Sequence, residues 1–365
     1  MSVTNIGVDS PLAVKAWSKQ LASEINKSST IASLIGTDSN SIIQLKDVTN
    51  KSAGDSITFG LRTALIGEGV SEGVSLVGAE ESLNLLSDKV IINELAHAVR
   101  VRNEGTIDAQ RVAFNLREEA CAGLADWYSE RLSLSVFIQL CGYMGAKLPF
   151  RGQDFDVKML HRGFNVTNAP SADRNIIAGG KKNENQLTAT DVFNLSLIDK
   201  AVECAKLATP FIRPAKVGGE SVYVMYLHPT QVTALRTNTE AGQWLDIQQS
   251  IYAGSRADNP IFSGSLGMYN GVVLRESPYI CPACDLSGDT IPNVRRAVLL
   301  GAQAAVIAFG RDRGPDRYQI REELFDYGRE LGVAVKTIYG VKKTVFNQTD
   351  FGCITVSTYA APSWK

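Results

Sequence analysis

One pair of cysteines has a spacing that could bind a metal or exchange a disulfide: Cys281-Pro-Ala-Cys284. A structural zinc site needs four ligands, which come as two such pairs or as one pair with two histidines. A redox dithiol would stand at the start of a helix in a βαβ unit, whereas this pair precedes a loop of Asp, Ser and Gly. The other cysteines are scattered, as is typical of thiols in a reducing compartment: Cys121, Cys141, Cys204 and Cys353.

Histidines and carboxylates form no better site. The three histidines lie far apart in the sequence: His97, His161 and His228. Glu118-Glu119 and Glu322-Glu323 are adjacent pairs, which diverge by about 100° on a helix and therefore face solvent rather than a cleft. Gly67-Glu68-Gly69 lacks the third glycine of a dinucleotide loop, and the P-loop, zincin and nucleophile-elbow motifs are missing from the sequence. We therefore predict that the protein is not an enzyme and holds neither a metal nor a cofactor.

Bulk composition narrows the class of protein. The chain has 365 residues, of which 44% are hydrophobic and 21% charged, values ordinary for a globular protein large enough for two or three subdomains. The net charge of −1 argues against a dedicated nucleic-acid binder, which usually carries a basic excess. No stretch approaches the roughly 20 apolar residues that cross a bilayer, and residues 1–10 lack the features of a signal peptide. We expect a soluble protein that is made in a cytoplasm and contacts no membrane.

The most distinctive segment is the glycine-rich, acidic stretch of residues 64–88, which we call the tongue. Residues 56–62 alternate polar and apolar side chains and residues 89–102 are rich in Val and Ile, so both flanks are predicted as strands. Between the flanks stand four glycines and four glutamates, with no Lys or Arg: Gly67, Gly69, Gly73, Gly78, Glu68, Glu72, Glu80 and Glu81. This order predicts a hairpin that projects from the subunit, and a mobile surface loop is the alternative.

The strongest helix signal follows, from about residue 107 to 139. Apolar or small residues recur three or four positions apart: Ala109, Val112, Leu116, Ala120, Leu124, Trp127 and Tyr128. Gly142 is the predicted end of the helix, whose 33 residues would span about 50 Å. The alternatives are an ordinary core helix or two helices that meet at Gly123.

The other segments complete an α+β pattern with segregated strands. Residues 1–54 have too little apolar mass to fold alone, which predicts an arm that packs on its own body or on a partner. Residues 222–227 are predicted as a buried strand, 297–309 as a fully buried segment, and 333–345 and 353–359 as closing strands. Residues 181–185 are predicted as a solvated linker and 311–317 as a charged excursion.

Taken in order, these parts resemble the major capsid proteins of tailed bacteriophages with the HK97-like fold. That fold runs from an N-terminal arm through an extended hairpin loop, a long spine helix and an axial domain to returning strands. Motifs within residues 15–360 together resemble one branch of the family: Gln110-Arg111, Trp127, His228-Pro229, Asn259-Pro260-Ile261-Phe262, Gly264-Ser265-Leu266-Gly267-Met268-Tyr269-Asn270-Gly271, Asp326-Tyr327-Gly328, Gly340-Val341-Lys342-Lys343 and Asp350-Phe351-Gly352.

The resemblance implies a division of the chain and a mechanical function. The implied parts are an N-terminal arm (1–54), an extended loop (55–102), a peripheral domain with the spine helix (103–187), an axial domain (188–310) and strands that return to the peripheral domain (311–365). Copies of the chain would assemble into hexamers and pentamers of an icosahedral head around double-stranded DNA, with non-specific DNA contacts. A portal and decoration proteins are further implied partners. The protein would reside in the virion after synthesis in the host cytoplasm.

Two departures from the family prototype refine these expectations. The prototype's shell links itself through a lysine of the extended loop, whereas residues 64–88 contain none and the nearest is Lys89. We therefore predict no isopeptide cross-links in this region. Only residues 1–54 precede the loop, too few for the scaffolding domain of the prototype, so we predict a separate scaffolding protein.

The acids of the tongue are predicted to face a basic patch of a neighbouring subunit. The proposed inter-subunit contacts are Glu68, Glu72, Glu80 and Glu81 on one side and Arg311, Arg313 and Arg317 on the other, with Lys181 and Lys182 as an alternative patch. Exposed ion pairs contribute about 0–1 kcal/mol each. Charge would therefore set the register, and apolar burial would supply most of the affinity.

Two alternative functions stay open at this stage. A shell of the same fold could enclose protein cargo, as an encapsulin-like nanocompartment does, and its copurifying contents would reveal this. A soluble metal or redox enzyme would use Cys281 and Cys284, and metal analysis would reveal that.

Overall fold

Two β-sheets pack against one long helix in the computed structural model of the chain. It describes residues 21–22, 24–25, 30–47, 56–62, 67, 69–73, 75–77, 80, 85–102, 106–107, 111, 115–157, 165–217, 220–237, 266–285, 287–310 and 317–364. The α-helices whose full bounds lie within these ranges are α1 (Leu116–Cys141), α2 (Leu195–Leu207) and α3 (Pro229–Thr237). The predicted α+β class is confirmed.

The strands in the described ranges are β1 (Ile35–Gly36), β2 (Ile43–Asp47), β3 (Ser56–Arg62), β4 (Leu85–Ile91), β5 (Asn93–Arg102), β6 (Lys147–Phe150), β7 (Gln153–Asp156), β8 (Asn175–Ile177), β9 (Ala215–Val217), β10 (Glu220–Leu227), β11 (Gly267–Tyr269), β12 (Val272–Glu276), β13 (Pro282–Cys284), β14 (Thr290–Leu300), β15 (Ala305–Gly310), β16 (Tyr318–Phe325), β17 (Glu330–Lys343), β18 (Val345–Phe346), β19 (Thr349–Asp350) and β20 (Cys353–Tyr359). Short 3-10 turns occupy Ala32–Leu34, Ala172–Arg174, Ala178–Gly180, Glu184–Gln186 and Asp326–Gly328.

The first sheet is built around β17. Its strand order is β1-β2-β15-β17-β16, and β5 also pairs with β17. β15 and β16 lie end to end along one side of β17, because Gly310 stands opposite Ile338 and Tyr318 opposite Thr337. The charged excursion of residues 311–317 therefore leaves and re-enters the sheet at adjacent register positions. Burial alternates along the first ten residues of β17, so one face of the sheet points to the core.

The second sheet is buried on both faces. Its order is β11-β12-β10-β14-β20-β8, with β13 beside β14 and β9 beside β10. Along β10, Val222, Val224 and Tyr226 point into the core that contains α1. Tyr223, Met225 and Leu227 point to the opposite side, where they pack with α2 and α3. Two buried faces explain the continuous apolar run and confirm the predicted buried strand.

α1 begins later than predicted and ends where predicted. Asn115 has an extended backbone (φ −75°, ψ 111°), and its side chain accepts a hydrogen bond from the Arg117 amide, which caps the helix. The prediction of one helix from residue 107 is therefore wrong, although Ile107 and Arg111 are themselves helical. Gly142 ends the helix in the left-handed conformation (φ 61°, ψ 44°). The 26 residues of α1 span about 39 Å without a break at Gly123.

Much of the predicted N-terminal arm belongs to the subunit's own core. β2 lies parallel to β15 inside the first sheet, so residues 43–47 are a sheet strand rather than part of an arm. Ahead of it, four side chains are buried in the core with α1: Leu21, Ile25, Ile31 and Leu34. The Tyr226 hydroxyl donates a hydrogen bond to the Thr30 carbonyl over 2.9 Å. Residues 1–20 lie outside the described ranges.

Sheet membership differs from the predicted domain division at two places. The apolar run of residues 297–309 is not one segment, because β14 lies in the second sheet, β15 lies in the first, and residues 301–304 connect them. β15 therefore lies in the first sheet, although the predicted axial domain (188–310) includes its residues. β20, predicted to return to the peripheral domain, pairs with β14 and β8 in the second sheet.

Candidate assembly site

The tongue leaves the subunit from a paired hairpin. β3 and β4 are antiparallel, with Ser56 opposite Ile91 at one end and Arg62 opposite Leu85 at the other. This register confirms the predicted hairpin with one change, because β5 pairs with β17 instead of β3. The loop beyond the paired strands therefore comprises residues 63–84, which include most of the tongue.

Apolar side chains attach the base of the hairpin to the first sheet. A separate buried cluster joins the two: Phe59, Leu61, Val90, Val306, Ala308 and Phe351. Val306 and Ala308 alternate with the β15 residues that face the core of α1, so the hairpin covers the opposite face of the sheet. Burial of one side chain of this kind contributes about 1.5–3 kcal/mol. Lys342 and Asp88, both mostly buried, add an ion pair at the edge of this contact.

The described part of the tongue presents both acidic and apolar side chains to solvent. Glu72 and Glu80 are exposed. Leu76 and Val77 are 60% and 85% exposed, which is unusual for adjacent large apolar residues. Glu68 and Glu81 lie outside the described residues. The described tongue therefore combines charge with an apolar pair that burial against another surface would stabilise.

Of the predicted basic partners of the tongue, the structure describes Arg317, Lys181 and Lys182. Arg311 and Arg313 lie outside the described residues. Arg317 stands at the foot of the charged excursion, with its Nη2 3.4 Å from Asp47 Oδ2 and its guanidinium 5.0 Å from the centre of the Phe309 ring. These contacts lie within the subunit, and the contact of Arg317 with a neighbour stays a prediction. Lys181 and Lys182 are exposed.

The cysteine pair forms no exposed site. Cys281 and Cys284 are 1% and 4% exposed within the core that contains α1. Burial, followed by a hydrogen bond with Cys141, raises the pKa of the Cys281 thiol well above its usual range. A neutral thiol is a poor nucleophile and a poor metal ligand. Among the described residues, no three His, Cys, Asp or Glu side chains are grouped to hold a metal ion, and no helix is long and apolar enough to cross a membrane.

Two residues that no sequence motif marks also contact the hairpin. The side-chain amides of Gln303 and Asn165 are buried, and each bonds to the backbone of a hairpin strand. Polar residues in the middle of apolar or irregular segments carry no periodic signal, so sequence reasoning had no means to select them. Their positions only become meaningful once the register of β3 and β4 is known.

Residues 5–362 match the family described as phage capsid protein. The chain is 27% identical over 371 residues to the major capsid protein of Pseudomonas phage KPP25, and the match covers 93% of each protein.

Among solved structures, the fold is similar to the capsid of Ralstonia phage GP4, with a TM-score of 0.78, 33% identity and 99% of both chains covered. It is also similar to the capsid of cyanophage Pam1, with a TM-score of 0.63, 22% identity, and coverage of 92% of this chain and 93% of that one.

Proposed function

The chain belongs to the family of phage capsid proteins, and we propose that it acts as a major capsid protein with the HK97-like fold. In this role many copies assemble into the capsomers of an icosahedral head. The family and its relatives indicate a structural protein rather than an enzyme. One observation supports a contact role for the tongue: the base of its hairpin is buried in the subunit, whereas acidic and apolar side chains farther along the tongue are exposed.

In the proposed mechanism the tongue is a strap between subunits. Its apolar residues Leu76 and Val77 would lose their solvent contact on a neighbour, while its acids would select the register. Because each shell contains many symmetric copies of one contact, a modest affinity per strap suffices for a closed particle. A basic patch on the neighbour, formed by Arg311, Arg313 and Arg317 or by Lys181 and Lys182, would complement the acids.

The charge component can be tested by replacing all four tongue acids, Glu68, Glu72, Glu80 and Glu81, with Gln. We expect assembly to be impaired more than folding, because exposed ion pairs contribute about 0–1 kcal/mol each and four are lost per strap. Light scattering measures the protein concentration at which shells appear, and thermal unfolding of the free subunit measures folding. As a control, Glu118→Gln with Glu119→Gln changes two exposed acids on α1. Normal assembly of the tongue variant would refute the electrostatic role.

The absence of lysine from residues 64–88 predicts that the tongue holds its neighbour without a covalent bond. Mature particles boiled in detergent should therefore migrate on a denaturing gel as one band at the mass of a single subunit. A ladder of multimers that resists boiling would contradict this prediction. Mass spectrometry of any multimer would then identify the linked residues.

The further partners belong to the same proposal. Double-stranded DNA would fill the head and meet Lys and Arg side chains on the inner surface without sequence preference. A separate scaffolding protein would direct assembly, and a portal and decoration proteins would complete the virion after synthesis in the host cytoplasm. Electron microscopy of the chain expressed alone and with candidate scaffolds tests this, because uniform shells from the chain alone would count against a scaffold. An encapsulin-like shell would instead copurify with an enclosed enzyme.

A further inference from the structure

The side-chain amide of Gln303 occupies the outer edge of β3. Its Nε2 donates to the Gly60 carbonyl over 3.1 Å, and its Oε1 accepts from the Arg62 amide over 3.1 Å. A carbonyl and an amide two residues apart on one strand edge are the pair that an adjacent strand would engage. The side-chain amide of Gln303 thus supplies one donor and one acceptor in place of the N–H and C=O of a residue in a third strand. The two backbone partners also determine which end of the amide is the oxygen.

Gln303 also joins the hairpin to β2 and to Arg213, which lies just before β9. Its Oε1 accepts a second hydrogen bond from Arg213 Nη2 over 2.8 Å, and its Nε2 lies 3.4 Å from Gln44 Oε1 in β2. All four hydrogen-bonding positions of the side chain are therefore used. Gln303 lies in the 301–304 connection between β14 and β15, with a left-handed backbone (φ 57°) and no solvent exposure. The hairpin is therefore hydrogen-bonded to the segment that connects the two sheets.

Asn165 occupies the outer edge of β4 in the same way. Its Oδ1 accepts from the Ile91 amide over 2.9 Å, and its Nδ2 donates to the Ile91 carbonyl over 2.7 Å. The Asn165 backbone carbonyl in turn accepts from Gln139 Nε2 of α1 over 3.1 Å. This second amide therefore links the opposite edge of the hairpin to the long helix.

The two contacts agree with the hairpin register. In an antiparallel pair, alternate residues direct both backbone groups toward the partner strand or both away from it. Ser56, Gly60 and Arg62 are separated by even numbers of residues, so their backbone groups point to the same side of β3, away from β4. Ile91 stands opposite Ser56, so its backbone groups likewise point away from β3. Among the residues that the structure describes, no further strand pairs with β3 or β4, and side-chain amides hold both outer edges at the base.

We propose that Gln303 and Asn165 are positioning residues that set the direction in which the tongue leaves the subunit. The apolar cluster holds the hairpin against the sheet, but apolar contacts are non-directional. The four directional bonds to Gly60, Arg62 and Ile91 fix its angle to both sheets and to α1. A small rotation at the base is amplified at the tongue, so these bonds decide whether the strap reaches its site on the next subunit. The inference rests on the proposed role of the tongue as a strap.

The test uses full-length Gln303→Met and Asn165→Leu, which keep side-chain size and remove the amide. The matched control is Gln231→Met, because Gln231 is equally buried and its amide bonds to His228, Arg295 and Thr358, remote from the hairpin. Hydrogen exchange of the unassembled subunits is measured over peptides that contain Arg62 and Ile91. Electron microscopy then measures the yield and diameter of shells.

We expect exchange at Arg62 and Ile91 to rise about tenfold in the respective variants, since each amide loses its acceptor, while the sheets keep their protection. Shell yield should fall and diameters should become mixed. Gln231→Met should leave the exchange of the hairpin and the shell diameter unchanged. Should the apolar variants fail to fold, Gln303→Asn and Asn165→Ser keep an uncharged polar side chain that is too short to bond to the same backbone groups. They should give the same assembly defect in weaker form.

Gln303 and Asn165 variants that form shells of normal yield and diameter would overturn the inference, as would a Gln231→Met variant with the same assembly defect. Failure of the strap itself looks different. In that case shells would also form from a chain without the tongue, whereas the exchange at Arg62 and Ile91 would still increase in Gln303→Met and Asn165→Leu.

Discussion

Replacement of Arg296 by Met is expected to destabilise the subunit by about 3–5 kcal/mol, because it leaves a carboxylate buried without its counter-charge. Arg296 is 3% exposed in β14. Its Nε and Nη2 bond to the two carboxylate oxygens of Glu184 over 2.7 and 2.6 Å. Nη1 donates to the carbonyls of Cys141 and Gly142, and Nη2 also donates to that of Cys284. All five donors are used, and two of them satisfy carbonyls at the end of α1 that have no partner within the helix.

Urea unfolding of the free subunit measures this loss. The matched control is Arg329→Met, whose partner Asp326 is 3.7 Å away and about half exposed, and which should change stability by less than about 0.5 kcal/mol. Arg296→Met combined with Glu184→Gln should recover part of the loss, because the second change removes the unpaired charge. A loss below about 1 kcal/mol in Arg296→Met would contradict the importance of this pair.

The burial of Glu184 against Arg296 could not be predicted from the sequence. Residues 181–185 contain two lysines, two asparagines and one glutamate, a composition typical of a solvated linker. Lys181 and Lys182 are exposed as expected, but Glu184 is buried against Arg296 and Ser357. The partner residues lie 112 and 173 positions away in the sequence. Local pattern carries no information about contacts at that separation.

Elements with a local cause were predictable. Gly142 ends α1 because a left-handed residue is needed there, and β10 is a continuous apolar run because both of its faces are buried. The start of α1 was missed because Asn115 caps the helix inside a stretch whose apolar spacing continues on both sides. The crossing between the sheets at residues 301–304 was hidden for a related reason. Both strands are apolar there, so the run of residues 297–309 shows no change of period.

The candidate assembly site also combines features that are encoded locally with contacts that form only in the folded chain. The hairpin, the acids and the missing lysine are features of one short segment, so they could be predicted from composition and alternation. Gln303 and Asn165 depend on the hairpin register and on contacts with β2 and α1, which arise only in the folded chain. A side-chain amide that bonds to a strand edge in place of a neighbouring strand has no sequence signature of its own.

Removal of the tongue should abolish assembly and leave the subunit folded. The change replaces residues 63–84 with Gly-Ser-Gly-Ser between Arg62 and Leu85, which stand opposite each other in the hairpin. The buried base residues Phe59, Leu61 and Val90 are retained. A shorter loop lowers the entropy cost of closure, so the free energy of unfolding should rise, by about 1.5 kcal/mol at most. Size-exclusion chromatography and electron microscopy, under conditions where the unmodified chain forms shells, should then detect only free subunits or small oligomers.

A second variant separates the two ways in which the tongue could hold a neighbour. Leu76→Ser with Val77→Ser keeps its length and its charge and removes the exposed apolar pair. Full burial of each side chain would contribute about 1.5–3 kcal/mol per contact, against about 0–1 kcal/mol for each exposed ion pair. The serine variant should therefore raise the protein concentration needed for assembly more than the change of all four acids to Gln does. If the acid variant is instead the weaker assembler, charge rather than apolar burial holds the strap. Shells that form normally without residues 63–84 would refute the strap altogether.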